Sequence, residues 1–490
     1  MTRTRAIWNA ALLGFLLGVG PQALDAQVVR VSGASQVHFV NIRPLELDSV
    51  PVGETLGSGI VRRTADGQVV RCVTGEASCR FLRSVDAVST FPFVQDVTVS
   101  AWGFGQGVRV YAQLRGRGVV SEEASIWPQA DDRFDALVAF AEIERPRLRV
   151  RGGRQFKTSG LGFYNFDGGS VLFRPRSDVS VEAYGGWSLL RGLNEPVTSD
   201  AVSAIESLAP DARGLLVGGQ VGYRPSPRLA VTALYQRELR DDRAGLYSER
   251  VSTDAVLRSE RGTLDGALTY DLASGVLNDA RLSARTRLPR NWGARAFARH
   301  YRPYFDLWTI WGAFSPVSYD EVGAAGAWAD PGSGRSFEVQ FSRRGYGDAD
   351  ASTAFGVTRS DGWRASLGAT LPLAPLWMLS GSYGADIGYG AAKTQGQARV
   401  QRTLGEVGWL GVSATAFQRI FEFRINEGRV YGAGVDGRYE LGERTSVSGS
   451  FSVYRHDAGV DSPEVDWNQM RGSLRVDWTL GAEPARRARE

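Results

Sequence analysis

The sequence predicts an all-β chain that closes into a transmembrane up-and-down antiparallel β-barrel of about 18–20 strands, preceded by a small β-rich N-terminal periplasmic module. Three observations carry this. From about residue 97, segments of strand length alternate small or apolar with polar side chains. Short and long connections between those segments also alternate along most of the chain. After residue 26 no apolar run approaches the roughly 20 residues that a spanning helix needs.

Residues 1–26 come first, and they have the layout of a secretory signal peptide. Arg3 and Arg5 precede an apolar stretch from Ala10 to Val19, then Pro21, and the small residue Ala26 closes the segment. Leu24 is larger than the residue usual three places from such a cut, and an uncleaved anchor is the alternative.

Residues 27–95 carry the barrel pattern less cleanly and read as a small module, either periplasmic or a plug. GIVRRTADGQVVRC marks a hairpin around Asp66 and Gly67. Cys72 and Cys79, the only cysteines, lie close together in CVTGEASC, with no histidine or third cysteine near them. In an exported chain that spacing points to one disulfide closing a hairpin rather than a metal site. Arg62, Arg63, Arg71, Arg80 and Arg83 give the module a basic cluster, either a solvated face or a contact for peptidoglycan or lipid phosphates.

The barrel is expected over residues 96–481. Its segments run roughly 107–118, 133–144, 146–155, 168–175, 177–188, 213–224, 227–240, 250–259, 262–273, 277–288, 292–302, 318–329, 334–344, 362–373, 376–388, 393–404, 406–418, 428–441, 444–456 and 466–480. In SFEVQFSR, for example, Phe337, Val339 and Phe341 share one face, and Ser336, Glu338, Gln340 and Ser342 the other. The segments at 168–175 and 428–441 are the weakest. Tight links such as PSP at 225–227 and PRN at 289–291 alternate with long ones at 119–132, 189–212, 303–317 and 345–361. Outer-membrane barrels sort their connections this way, with short periplasmic turns and longer outer loops. The final strand, RGSLRVDWTLG, puts Leu474, Val476, Trp478 and Leu480 on one face, the kind of late-aromatic strand the barrel-assembly machinery reads. Residues 482–490 follow it as a periplasmic tail.

Alternation also assigns the arginines. A charge on the lipid face costs about 2–4 kcal/mol at mid-depth, so Arg149 and Arg151, between Leu148, Val150 and Gly152, are expected to face water. The same test turns Arg109, Arg281, Arg285, Arg295, Arg299, Arg399 and Arg438 inward, together with acids such as Glu182, Glu238, Glu338, Asp386 and Asp436. Two readings stand: a structural lattice of paired charges, or a positive constriction for anionic solutes around 149–154 and 281–299.

GRQ at Gly153–Gln155, followed by FDGG from Phe166 to Gly169, resembles the GRQ…FDG pattern of substrate-type outer-membrane porins, including the alginate-export family. The match covers about 25 residues of the chain. The resemblance implies an outer-membrane, porin-like channel of a Gram-negative bacterium. It implies further that Arg154 leads into a segment folding near the lumen and that the next strand starts at Asp167. Arg154 and Asp167 then line the pore; the competing reading is a structural pair that fixes the hairpin.

The remaining chemistry is sparse. His38, His300 and His456 are the only histidines, and none sits in a motif that marks a catalytic group. No metal-ligand cluster, cofactor motif or nucleic-acid module is present in the sequence, so no enzyme activity, metal, cofactor or nucleic acid is expected. Tyr301, Tyr304, Phe305, Trp308 and Trp311 cluster in one connection, as interface anchors or as a surface that stacks sugar rings. The expected partners are outer-membrane lipid, the assembly machinery and small hydrophilic solutes. A homotrimer is a common association of porins, although no segment marks a subunit interface. The alternative function is a non-conducting scaffold or interaction barrel, plugged by its loops or its N-terminal module.

Overall fold

The computed structural model describes residues 28–481 except 43–44, 59–60, 66–68, 73–74, 85–87, 106, 121–133, 190–213, 241–245, 303–317, 348–359, 389–391, 422–427 and 458–466. The expected signal peptide, the tail at 482–490 and the aromatic segment Tyr304–Trp311 lie outside the described residues.

The described residues open with β1 (Val28–Ile42), a small sheet of β2 (Leu45–Pro51), β3 (Val61–Arg63), β4 (Val69–Cys72) and β5 (Ser78–Ser84), and the short β6 (Val88–Thr90). There follow β7 (Pro92–Trp102), β8 (Val108–Val119), β9 (Phe134–Glu144), β10 (Leu148–Ser159), β11 (Gly162–Arg176), β12 (Val179–Ser188), β13 (Gly214–Ser226) and β14 (Leu229–Arg240). Next come β15 (Leu246–Arg258), β16 (Gly262–Asp271), β17 (Val276–Leu288), β18 (Trp292–Tyr301), β19 (Tyr319–Asp330), β20 (Arg335–Tyr346) and β21 (Asp361–Ala374). The last are β22 (Trp377–Ile387), β23 (Ala392–Thr403), β24 (Gly408–Phe421), β25 (Gly428–Gly442), β26 (Thr445–Asp457) and β27 (Trp467–Gly481).

From β7 to β27 each strand pairs antiparallel with the next, and β1 closes the ring by pairing with both β7 and β27. The result is a barrel of 22 strands with no open edge. Short links join the strands at one end; between β17 and β18, Arg290 and Asn291 both take positive φ (59° and 64°), as a type I′ turn requires. The first and last strands meet at this same end, where Arg30 pairs with Gly481. The longer connections, such as 120–133, 302–318 and 347–360, all join strands at the other end.

All twenty expected segments are barrel strands, but the expected count of 18–20 is corrected to 22. The two additional strands are β1, which lies within the expected N-terminal module, and β7, which straddles the expected boundary between residues 95 and 96. The outer face of β1 reads Val29, Val31, Gly33, Ser35 and Val37, so a glycine and a serine interrupt its apolar stripe. The barrel therefore begins at Val28, not at residue 96, and the boundary at 27–95 is withdrawn. What remains of the module is β2–β5, inserted between the first two barrel strands at the end with the long connections. Within it, Cys72 on β4 pairs in register with Cys79 on β5, and the two are joined by the expected disulfide. They are buried with Val70 under Val50 and Val52.

Candidate functional site

Two features identify the inner face of the wall. Val150, flanked by Ile143 on β9 and Val171 on β11, belongs to a belt of exposed apolar side chains that also includes Val221, Leu282, Val322, Val339 and Leu367. On the opposite face, side chains reach across an intervening strand, which only the concave side of a barrel permits. Arg399 on β23 meets Asp436 on β25 at 2.7 Å, Arg344 on β20 meets Asp386 on β22 at 3.5 Å, and the Tyr184 hydroxyl on β12 donates to Gln236 on β14 at 3.0 Å. By this geometry the charged face is the concave one and the apolar belt is the convex one.

The alternation of Arg149 and Arg151 resolves into a cluster around one carboxylate. Glu142 on β9 has a side chain only 5% exposed. Arg151 donates to it at 2.6 Å and 3.0 Å, Arg109 on β8 lies 3.9 Å away and Arg149 4.0 Å away. Tyr111 and Phe140 stack beside them at 5.4 Å between ring centroids, and the Arg151 guanidinium sits 4.1 Å from the Phe140 centroid. Three guanidiniums share one negative charge, so the cluster is positive on balance.

A second group lies on β17 and β18. Arg299 forks onto Asp279 at 3.0 Å and 3.2 Å and donates to the Tyr319 hydroxyl at 3.1 Å, while Arg281 lies 3.3 Å from the same Asp279. Arg295 donates to the Ser283 hydroxyl at 3.1 Å and stands over the Phe297 ring. Arg285 is its register partner and has no acidic partner among the described residues. Here too the guanidiniums outnumber the carboxylates.

Arg154 and Asp167 behave differently. β9 and β10 pair from Arg149–Glu144 only as far as Arg154–Ala139, and beyond that β10 leaves the wall. Where the ladder stops, Arg154 donates to the Ala136 carbonyl at 2.8 Å and the Asn165 amide to the Leu137 carbonyl at 3.3 Å. Side chains thus satisfy carbonyls of β9 that the departing strand no longer meets. Arg154 also forks onto Asp167 at 2.8 Å and 2.9 Å and reaches Asp135 at 3.4 Å. Gln155 donates to the Gly168 carbonyl and accepts from Ser170. The GRQ…FDGG residues stitch a hairpin where it departs, and β11 starts at Gly162, five residues before Asp167.

The hairpin lies across the lumen face. Leu161, Tyr164 and Phe166 are buried with Tyr184, Leu216 and Leu234 of β12, β13 and β14. Lys157 pairs with Glu182 on β12, and its ammonium stands 5.2 Å from the Tyr184 ring centroid. Of these residues the sequence marks only Phe166, in FDGG, and Glu182, as an inward acid; the available signal for the rest of the hairpin is FKTSGLGFY, where the alternation continues past the expected end of the strand. The sequence reading does not identify the ladder of Glu321, Arg344 and Arg364. There Arg344 meets Glu321 at 3.4 Å, Ser342 donates to Glu321 at 2.6 Å and Arg364 donates to Asp386 at 2.9 Å. These follow the same parity rule on strands the reading had already drawn. His300 bonds Asp320 at 2.7 Å, but on the outer face beside Val322, away from the lumen.

No family model and no curated protein matches the chain. Solved structures similar to it include the translocation pore of the P pilus usher PapC, at 10% identity and a TM-score of 0.42 over 93% of this chain and 100% of that one. Acinetobacter baumannii OccAB2 is similar at 9% identity and a TM-score of 0.42, covering 95% of this chain and 100% of that one. A BenF-like porin from Pseudomonas fluorescens Pf-5 gives 9% and 0.40, covering 94% and 100%. The barrel assignment rests on the closed hydrogen-bond ladder and on the apolar outer belt, not on these likenesses.

Proposed function

We propose that the chain is a porin-like channel of the bacterial outer membrane that passes small hydrophilic solutes and favours anions. The observation that carries this reading is the surplus of guanidinium on the lumen face: Arg109, Arg149 and Arg151 around Glu142, and Arg285 beside Arg295. Inside a narrow low-dielectric wall such a surplus raises the local concentration of anions and lowers that of cations. By the usual sorting of connections, the short turns and the end where Arg30 pairs with Gly481 face the periplasm, and the β2–β5 sheet faces outward. In this reading the lumen works by diffusion and electrostatics, without covalent chemistry.

The test is single-channel conductance in a planar bilayer, with the reversal potential read in a salt gradient. The wild type is expected to conduct with an anion-selective reversal potential. Arg149→Ser with Arg285→Ser is expected to shift that potential toward zero while the barrel stays folded. Arg154 is left out because it stitches the hairpin. A reversal potential unmoved by the two substitutions would make the arginines a lattice and the channel a general one.

A second reading, the non-conducting scaffold, draws on the hairpin lying across the lumen face. A folded, heat-modifiable barrel with no conductance would favour it.

A further inference from the structure

We propose that the β10–β11 hairpin, residues 155–165, is a gate hinged at a glycine belt and closed in this structure against the inner wall; the proposal rests on the channel reading. The first support is the extent of its pairing. β10 loses β9 after Arg154, and β11 meets β12 in register only from Phe166 onward, with one further bond from the Leu189 amide to the Asn165 carbonyl. Between those points the hairpin's ladder is its own, from Phe156–Asn165 to Ser159–Gly162. It is a lobe attached to the wall at its root.

The second support is the root itself. Gly152 and Gly153 pair with Gly169 and Gly168, and these with Gly185 and Gly186, so a belt of six glycines crosses three strands where the lobe departs. Gly153 takes φ +124°, a conformation that side chains rarely adopt. A Cβ on Gly168 would lie 2.0 Å from the Gly185 carbonyl oxygen, and one on Gly186 2.3 Å from that of Asp167. The backbones approach closely there, and without side chains they can bend without rotamer clashes.

The third support is how the contacts divide along the lobe. Near the root they are apolar: Phe166 against Tyr184, with Leu216 fully buried beneath them. Toward the tip polar contacts are added, while Leu161 in the turn and Tyr164 stay buried in the same apolar cluster. Lys157 pairs with Glu182, the Arg250 guanidinium of β15 stands 5.7 Å from the Tyr164 ring centroid, and the tip touches Ser252 and Asp254 of β15. A Cβ on Gly160 would lie 2.9 Å from both the Ser252 hydroxyl and the Asp254 carboxylate. In register order β15 is the fourth strand beyond β11, so the lobe spans a segment of the lumen rather than following its own wall. The polar contacts exchange for water more readily than the apolar ones. Opening the lobe therefore releases Leu161 and Tyr164 from the wall together with the polar contacts, while its root stays in the ladder.

Paired cysteines test it. The Cβ built on Gly160 is 3.2 Å from that of Ser252, a few tenths of an ångström shorter than a disulfide needs and within reach of a small backbone shift, and Gly160 does not have a left-handed φ. The double variant Gly160→Cys, Ser252→Cys is reconstituted oxidised and then reduced, with the wild type treated identically to account for Cys72–Cys79. The expected result is a single small conductance when oxidised and transitions to a larger level after reduction, with the wild type switching between both levels in either condition. Lys157→Gln, which removes the ammonium's contacts with Glu182 and the Tyr184 ring and no backbone, is expected to raise the ratio of large to small level about fivefold or more, the factor that about 1 kcal/mol brings. Equal conductance in both redox states, with the cross-link confirmed by mass, would overturn the gate and leave the channel. Absence of conductance from every form, wild type included, would overturn both.

Discussion

Two walls of this barrel obey the same alternation and use it differently. On β17–β22 the lumen face is charged and paired from strand to strand: Arg299 with Asp279, Arg344 with Glu321 and Asp386, Arg364 with Asp386. On β12–β14 the equivalent positions include Tyr184, Leu216 and Leu234, all below 5% exposed. The difference lies in what covers each face. The first wall is built from side chains that serve as its water-facing layer, and the second is covered by the hairpin. Parity tells which way a residue points; only the occupant of that side decides whether it can be apolar.

The largest effect is expected where the hairpin leaves the wall. Gly168→Val would drive a side chain into the Gly185 carbonyl, which cannot move without breaking the β11–β12 ladder. A cost of about 4 kcal/mol or more is expected, in the range reserved for disrupted backbones and cores. Gly326→Val, on the ladder wall, is the matched control. A Cβ there meets only the Val339 side chain at 3.8 Å, in ordinary contact. Urea unfolding in detergent, followed by heat-modifiability on a gel, measures both. Equal losses would show that the glycine belt is no more constrained than the rest of the wall.

Removing one ring from each wall sharpens the contrast at the next scale. Phe166 is 1% exposed and sits between hairpin and wall, so Phe166→Ala is expected to cost about 3–5 kcal/mol, as a buried ring does. Phe297 faces the lumen under the Arg295 guanidinium and is only partly covered. Phe297→Ala is expected to cost about 1 kcal/mol, the loss of a cation–π contact and partial burial. If the two midpoints fall equally, the hairpin contributes no more than an ordinary lumen side chain.

The same contrast explains what the sequence disclosed. Where one face meets lipid and the other water, alternation is clean, and all twenty segments drawn from it are strands. It weakens where a second layer covers the inner face. Leu215, Leu216 and Val217 run consecutively in β13, and Leu234 and Tyr235 adjoin in β14, as expected of strands buried on both sides. That run was visible but carried no indication of which segment lay over it. β1 was missed for the opposite reason: Gly33 fits under Trp478, whose ring atoms would come within 2.4 Å of a Cβ there, so the strand's apolar contribution is made by its neighbour. Parity groups the arginines on one face, but it does not give the sharing of Glu142 among three of them or of Asp279 between two, because those depend on which strands are adjacent. The GRQ…FDGG residues were recognisable as a unit, yet their role as a stitch depends on where β9 and β10 separate, a property of the ladder rather than of the motif.

The smallest effect concerns the part of the chain that belongs to neither wall. Cys72 and Cys79 close a short loop, and opening it with Cys72→Ser plus Cys79→Ser is expected to loosen the β2–β5 sheet by about 2–3 kcal/mol, as loss of a short-loop disulfide does. The sheet has its own ladder and its own small core of Val70, Cys72 and Cys79, and among the described residues no strand of it pairs with a barrel strand. Barrel unfolding should therefore keep its midpoint while limited proteolysis between residues 45 and 84 accelerates. A lowered barrel midpoint would mean that the insertion helps hold β1 against β7, and the barrel would then have a third kind of wall, fastened from above rather than covered from within.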